Sequence, residues 1–94
     1  MSGTTSSKSE LDFPKPLRVE FDEGNFWVTL DDGRVVGVPL AWYPRLFPAT
    51  QVQLKRYELS PSGIHWDEID EDISVKGILL GYKSFEFRPQ NAAA

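Results

Sequence analysis

From Gly63 to Val75 the chain reads Gly-Ile-His-Trp-Asp-Glu-Ile-Asp-Glu-Asp-Ile-Ser-Val, which holds its single histidine, a tryptophan and five carboxylates. The acids are Asp67, Glu68, Asp70, Glu71 and Asp72. Two chemistries fit these residue types. His65 with Asp67 or Glu68 resembles a general acid–base pair, since an imidazole titrates near neutral pH and a carboxylate fixes its tautomer. The carboxylates also supply oxygens enough for Ca²⁺ or Mg²⁺. A metal-dependent hydrolase would combine the two, using His65 with Asp67, Asp70 or Asp72.

Plainer assignments weigh against both. A lone histidine between Ile64 and Trp66 in a strand more often meets a nearby carbonyl than a substrate. The acids fail the calcium-loop pattern, which needs a central glycine and a closing glutamate after about twelve residues. Ile69 and Ile73 pin the backbone to a core, so the carboxylates splay in different directions. Asp72 suits the N-terminus of the helix that follows, where the dipole favours negative charge. The chain has no cysteine, no second histidine and no glycine-rich phosphate loop. Thiol catalysis, disulfides and thiolate metal sites are thereby excluded. No catalytic, cofactor-binding or metal-binding residue is assigned, and the expectation is a protein that is not an enzyme.

The surrounding elements are legible from periodicity. Leu17, Val19 and Phe21 alternate with Arg18, Glu20 and Asp22 as a half-buried strand. A turn at Glu23-Gly24-Asn25 leads to Phe26, Val28 and Leu30, and Asp31-Asp32-Gly33 leads to a third strand from Arg34 to Leu40. A two-residue Asp32-Gly33 turn would send Val36 and Val38 to the face of Trp27. A three-residue loop with Gly33 left-handed pairs Leu30 with Arg34 and puts Phe26, Val28 and Leu30 on one face with Val36, Val38 and Leu40. One residue of slip would turn an apolar set toward water, so the bulged loop is expected. Trp27 then lies on the opposite face and needs a cover or a partner. Pro39 places the third strand at an edge or at its end.

Beyond it, Trp42 to Phe47 suits a short helix, and Thr50 with Gln53 forms a capping-box pattern for a second helix through about Tyr57. Ser60 to Gly63 is a loop. Ile64 and Trp66 suit a short strand with His65 facing away, and Ser74 caps a last helix, Val75 to Leu80, ended by Gly81. The expected fold is α+β: a three-stranded antiparallel meander, then short helices and a further short strand. Residues 1–10 are expected as a disordered tail, 11–88 as a single domain with its core over 17–81, and 89–94 as a frayed end.

Charge and composition bound the partners. Hydrophobic residues make up 40% of the chain, enough for a folded core. The net charge of -4, with basic residues scattered apart from Lys55-Arg56, argues against direct nucleic-acid binding. An acidic face serves either solubility alone or attraction to a basic protein partner. No apolar run reaches the roughly 18 residues of a membrane span, and no signal pattern opens the chain, so no membrane role and a cytoplasmic location are expected.

The ordered pieces Val19-Glu20-Phe21-Asp22, Val28 to Arg34, Val38 to Leu46, Ala49-Thr50, Gly63 to Trp66, Ile69 to Val75 and Gly77 resemble the bacterial family called domain of unknown function 2442, over Leu17 to Gly81. The resemblance implies a small α+β fold and no established catalysis. Some relatives carry the domain ahead of a helix-turn-helix; with about a dozen residues after Gly81, that role is not expected here. Stand-alone relatives resemble partners of other small proteins, as in toxin–antitoxin pairs. The sequence departs from the family pattern at Ala41, often serine, and at Ser60-Pro61-Ser62, usually richer in glycine.

Aromatic residues concentrate in the energetic centres of interfaces. Trp42 and Trp66 are expected in the core. Trp27 and Tyr43 are the better contact residues, with Phe85 and Phe87 on a strand from Tyr82 that pairs either within the chain or with another subunit. The expected partner interface is therefore Trp27, Tyr43, Asp67, Glu68, Asp70, Glu71, Phe85 and Phe87. The leading expectation is a non-enzymatic interaction module, antitoxin-like or regulatory, which binds a protein partner of basic character or a second copy and needs no cofactor. The hydrolase above, and a regulator acting on DNA only through a partner, are the alternatives.

Overall fold

A computed structural model describes residues 13–87. The tails expected at 1–10 and 89–94 lie outside the described residues. The described chain forms two three-stranded antiparallel sheets, with strand orders β1-β2-β3 and β4-β5-β6. The first comprises β1 (Pro16–Phe21), β2 (Asn25–Leu30) and β3 (Val35–Pro39). The second comprises β4 (Tyr57–Ser60), β5 (Gly63–Trp66) and β6 (Glu71–Ser74). A 3₁₀ turn (Leu40–Trp42) and a one-turn helix α1 (Gln51–Leu54) join the sheets, and α2 (Val75–Leu80) follows β6 directly.

The bulged loop between β2 and β3 is present. The Leu30 N–H donates to the Arg34 carbonyl at 2.8 Å, and Gly33 takes a φ of 96°, which a side chain would disfavour. Val28 therefore faces Val36 and Phe26 faces Val38. Phe26, Val28, Leu30 and Val38 are all buried. Leu17 departs from its expected place. The β1–β2 register shifts between Pro16 and Arg18, which turns Leu17 outward to 57% exposure and buries Pro16 instead.

Trp27, still 38% exposed, is partly covered within its own sheet. Its ring lies across Gly37 of β3, where a Cβ would collide with the indole. Its Nε1–H donates to Asp22 Oδ2 at 2.8 Å, while Asp22 Oδ1 accepts the Gly24 and Asn25 N–H groups and so shapes the β1–β2 turn. The bond from Trp27, helped by those two, holds the Asp22 carboxyl below its ordinary pKa.

Between the sheets, the helix expected over Trp42 to Phe47 does not form. A 3₁₀ turn, with Pro39 before it offering no side-chain cap, ends at Trp42, and hydrogen-bonded turns follow. In them the Leu46 and Phe47 N–H groups donate to the Tyr43 carbonyl at 2.8 and 3.0 Å. The capping box at Thr50 forms in full, with Gln53 N–H to Thr50 Oγ1 at 3.1 Å and Thr50 N–H to Gln53 Oε1 at 2.9 Å. Its helix nevertheless stops at Leu54, and Tyr57 opens a strand. The short strand at Ile64 and Trp66 is thus the centre of a second sheet, with Ile64 opposite Ile73 and Tyr57 opposite Trp66. Ser74 accepts the Gly77 N–H at 2.9 Å, and α2 ends at Gly81 as expected.

One buried cluster joins the two sheets. Trp66 meets Phe26 edge-on at 6.3 Å and Tyr57 at 6.5 Å, and its Nε1–H donates to the Leu54 carbonyl at 2.9 Å. Tyr57 also ties the sheets together, its hydroxyl accepting the Val19 N–H at 3.2 Å. Among the described residues no helix is long and apolar enough to cross a membrane.

Gly63 is buried where β5 passes β6, and a Cβ there would strike the Ile73 carbonyl group and approach Ser74 Cα at 3.2 Å. Since backbone has to move to admit it, Gly63→Ala should lower unfolding stability by about 1–3 kcal/mol in urea denaturation. A loss below a few tenths would show that β6 is not held there.

Candidate partner-binding face

Sheet alternation disperses the acidic segment. Along β5, Ile64 and Trp66 point into the core and His65 points out, between Glu58 on β4 and Asp72 on β6. His65 Nε2 lies 3.4 Å from Asp67 Oδ1 and Nδ1 lies 3.7 Å from Asp72 Oδ1. Both acids are almost fully solvated, so this is a surface charge cluster across a ladder. Asp72 is therefore occupied on the sheet, and the first turn of α2 carries no acid. Glu68 turns toward α1, meeting Arg56 Nη1 at 3.3 Å and Gln53 Nε2 at 3.4 Å. Among the described residues no group of three or more His, Asp or Glu side chains is placed to hold a metal ion.

Asp70 and Glu71 take a different route. Asp70 adopts a φ of 55°, a left-handed conformation that aspartate tolerates better than most residues. That turn aims its carbonyl and carboxylate at Arg45, whose Nη1 donates to them at 2.9 and 3.2 Å. Glu71 sits opposite Trp66 on the inward face of β6, and burial raises its carboxyl pKa above the ordinary value.

Arg45 organises what lies beside them. Its Nε and Nη2 donate to the two oxygens of Glu86, each at 3.2 Å, in a fork-to-fork pair. The Glu86 bond, then its charge, raises the Arg45 pKa further, so this guanidinium stays charged. Residues 82–87 are anchored at four more points. The Tyr82 N–H donates to the Gly77 carbonyl, the Tyr43 hydroxyl to the Tyr82 carbonyl at 3.1 Å, and the Ser84 N–H to the Trp42 carbonyl at 3.2 Å. Lys83 Nζ lies over the Trp42 ring at 4.4 Å. The segment encloses, with β6 and α2, a cleft of about 480 Å³ lined by Tyr43, Arg45, Glu71, Ser74, Tyr82 and Phe85 among others.

The expected interface residues are thus redistributed. Tyr43, Asp70, Glu71 and Phe85 line the cleft, whereas Asp67 and Glu68 lie outside its lining. Tyr43 is 5% exposed and belongs to the core, edge-on to Phe26 at 5.9 Å, with burial and then the Glu71 charge raising its hydroxyl pKa. Trp27 is committed to Gly37 and Asp22 on the first sheet. The strand expected from Tyr82 to Phe87 is instead a turn closed by the Phe87 N–H on the Ser84 carbonyl at 2.9 Å, so Phe85 and Phe87 are not strand neighbours. Phe87 packs near the Lys83 ammonium, at 5.8 Å, and Phe85 stands out at 91% exposure. Arg45, Tyr82, Lys83 and Glu86 were not singled out by sequence. Arg45 reaches partners 25 and 41 positions away, and no local pattern encodes such contacts.

Because the Glu71 pKa is raised on folding, its contribution to stability is complete below the ordinary carboxylate value near 4.5 and is lost as pH rises through the folded value. Glu71→Gln keeps an oxygen for the Asp72 N–H and removes the charge. It should melt higher than the wild type at pH 7, with the gap closing below pH about 4. A pH-independent difference in thermal scans would refute burial as the cause.

The model for a family described as protein of unknown function (DUF2442) matches residues 16–84. No curated protein matches. Two solved structures share the fold. An uncharacterized Chromobacterium violaceum protein, solved by solution NMR, superposes with a TM-score of 0.69 at 22% identity, covering 88% of this chain and 82% of that one. A crystal structure of a protein of unknown function from Rhodospirillum rubrum gives 0.66 at 24% identity, covering 88% of this chain and 100% of the other.

Proposed function

The chain belongs to the DUF2442 family, and we propose that it is a non-enzymatic interaction module that receives a basic segment of a protein partner at the cleft beside residues 82–87. The observation that carries this is Phe85, 91% exposed at the rim of an acid-rich cleft. Leaving an aromatic ring in water forgoes roughly 1.5–3 kcal/mol of burial, which a partner would recover. Tyr82, 60% exposed, extends the apolar rim. Three carboxylates turned to the cleft (Asp70, Glu71 and Glu86) stand against two cations (Arg45 and Lys83), a formal excess of one negative charge, and Asp72 adds a further acid on the outer face beside His65. A lysine or arginine flanked by an apolar residue matches both features, the cation meeting the acids and the ring faces and the apolar side chain covering Phe85. An antitoxin-like or regulatory role toward another small protein, in the cytoplasm, is the form of this proposal that agrees with the acidic charge of the whole chain.

Co-purification from the native host should yield a partner whose affinity, measured by calorimetry, falls about tenfold on Phe85→Ala and weakens as salt is raised. Recovery of the free chain alone, or a partner indifferent to Phe85 and to salt, would count against the proposal.

A further inference from the structure

Resting on the cleft assigned above, we propose how the partner segment binds there: as an extended strand parallel to β6, with one apolar residue opposite Ile73 and a lysine or arginine on either side. β6 is an edge of the second sheet, and Asp70 to Ser74 line the cleft without a break. A strand that meets a cavity by one face offers it alternate residues, so an unbroken run means that the backbone edge itself faces the cleft. The Val75 N–H donates to the Ser62 carbonyl at 2.9 Å, which sets the phase of the β5–β6 ladder. Odd-numbered residues bond inward to β5, and even-numbered residues turn their N–H and C=O groups outward. Most of these outward groups are already engaged. The Asp70 carbonyl accepts from Arg45 Nη1 at 2.9 Å, and the Asp72 N–H donates to Glu71 Oε2 at 3.3 Å. The Ser74 carbonyl, at the N-cap of α2, takes the first bond of that helix. The Asp72 carbonyl and the Ser74 N–H are left, with no hydrogen bond among the described residues.

These two groups select the direction of the occupant. An antiparallel neighbour needs the N–H and C=O of one residue, and neither Asp72 nor Ser74 has both to give. A parallel neighbour needs the C=O before a residue and the N–H after it, so one residue opposite Ile73 satisfies both. The residue two places earlier in such a strand is already imitated, with Arg45 in place of its N–H and Glu71 in place of its carbonyl. Backbone pairing therefore spans a single residue, and side chains supply the rest of the recognition. The residue opposite Ile73 puts its side chain on the inward face of β6, the side of Ile73 and Tyr43, which suits an apolar group. Its two neighbours fall on the outer face, where Asp72 stands beside His65, and cations there meet the acid.

The probe is the peptide acetyl-Ala-Lys-Val-Lys-Ala-amide, titrated up to about 5 mM into the isotope-labelled full chain and followed by NMR, since one short strand binds weakly. The Ser74 amide and the Asp72 carbonyl should shift most, the Ser74 proton moving downfield as it gains a bond. N-methylation of the peptide's valine removes the donor to Asp72 and should weaken binding at least about fivefold. N-methylation of its second lysine, whose N–H points away from β6, should leave the affinity unchanged. Equal loss with both methylated peptides, or no loss with either, overturns the proposal. Binding that shifts Phe85 and Glu86 while Ser74 stays unmoved overturns strand addition and leaves the cleft as a docking site. No binding over the whole range also overturns the proposal; whether the cleft takes a partner at all is answered separately, by Phe85→Ala in the co-purified complex.

Discussion

The indole of Trp66 is the contact on which both sheets depend. Each sheet has one apolar face that must be covered. The first presents Phe26, Val28, Leu30 and Val38, and the second presents Ile64, Trp66 and Ile73. Trp66 reaches from one to the other, edge-on against Phe26, with its N–H on the carbonyl that ends α1. That bond satisfies the one polar atom of a side chain 1% exposed, so burial carries no desolvation penalty. Because the same bond uses the last carbonyl of α1, it also fixes where the linker between the sheets ends. The position of β4, and hence the cap that Tyr57 places on Val19, follows from it.

That constraint explains why the ionisable groups of this segment point in different directions. Holding Ile64, Trp66 and Ile73 inward forces His65 and Asp72 outward, by the two-residue period of a strand. Asp67 and Glu68 lie on the connecting turn, and Asp70 is swung away by its left-handed backbone. Only Glu71 is kept on the inner side, at the mouth of the cleft, where its charge is disfavoured. What the segment offers to solvent is an acidic rim. Arg45 uses part of that rim to bind residues 82–87, and among the described residues Phe85 stays 91% exposed.

Much of this was legible in the residues. The alternation of Phe26, Val28 and Leu30 with Val36 and Val38, together with the geometry of Asp31-Asp32-Gly33, determined the register of the first sheet. Thr50 and Gln53, and Ser74 with Gly81, marked helix ends because caps are local chemistry. The second sheet was less legible. Tyr57 to Ser60 offers only two alternations and follows a capping box, so helical propensity looked stronger than it is; packing of Tyr57 against Trp66 and Phe21 decides otherwise. Leu17 was misplaced because a bulge has no signature in an otherwise regular alternation. Tyr43 is one aromatic among several with no local signal to sort contact residues from core, and Phe26 and the Tyr82 carbonyl hold it in. The Arg45 clamp was invisible for a different reason, being made by residues far apart in sequence.

The claim that the acidic segment is structural rests on how firmly Trp66 is held. Native-state hydrogen exchange of its indole Nε1–H measures that directly. The account predicts exchange only through global unfolding, with the same free energy as the amides of the central strand β2. Exchange as fast as that of the amides in residues 82–87 would mean that the segment opens locally, and would contradict the account.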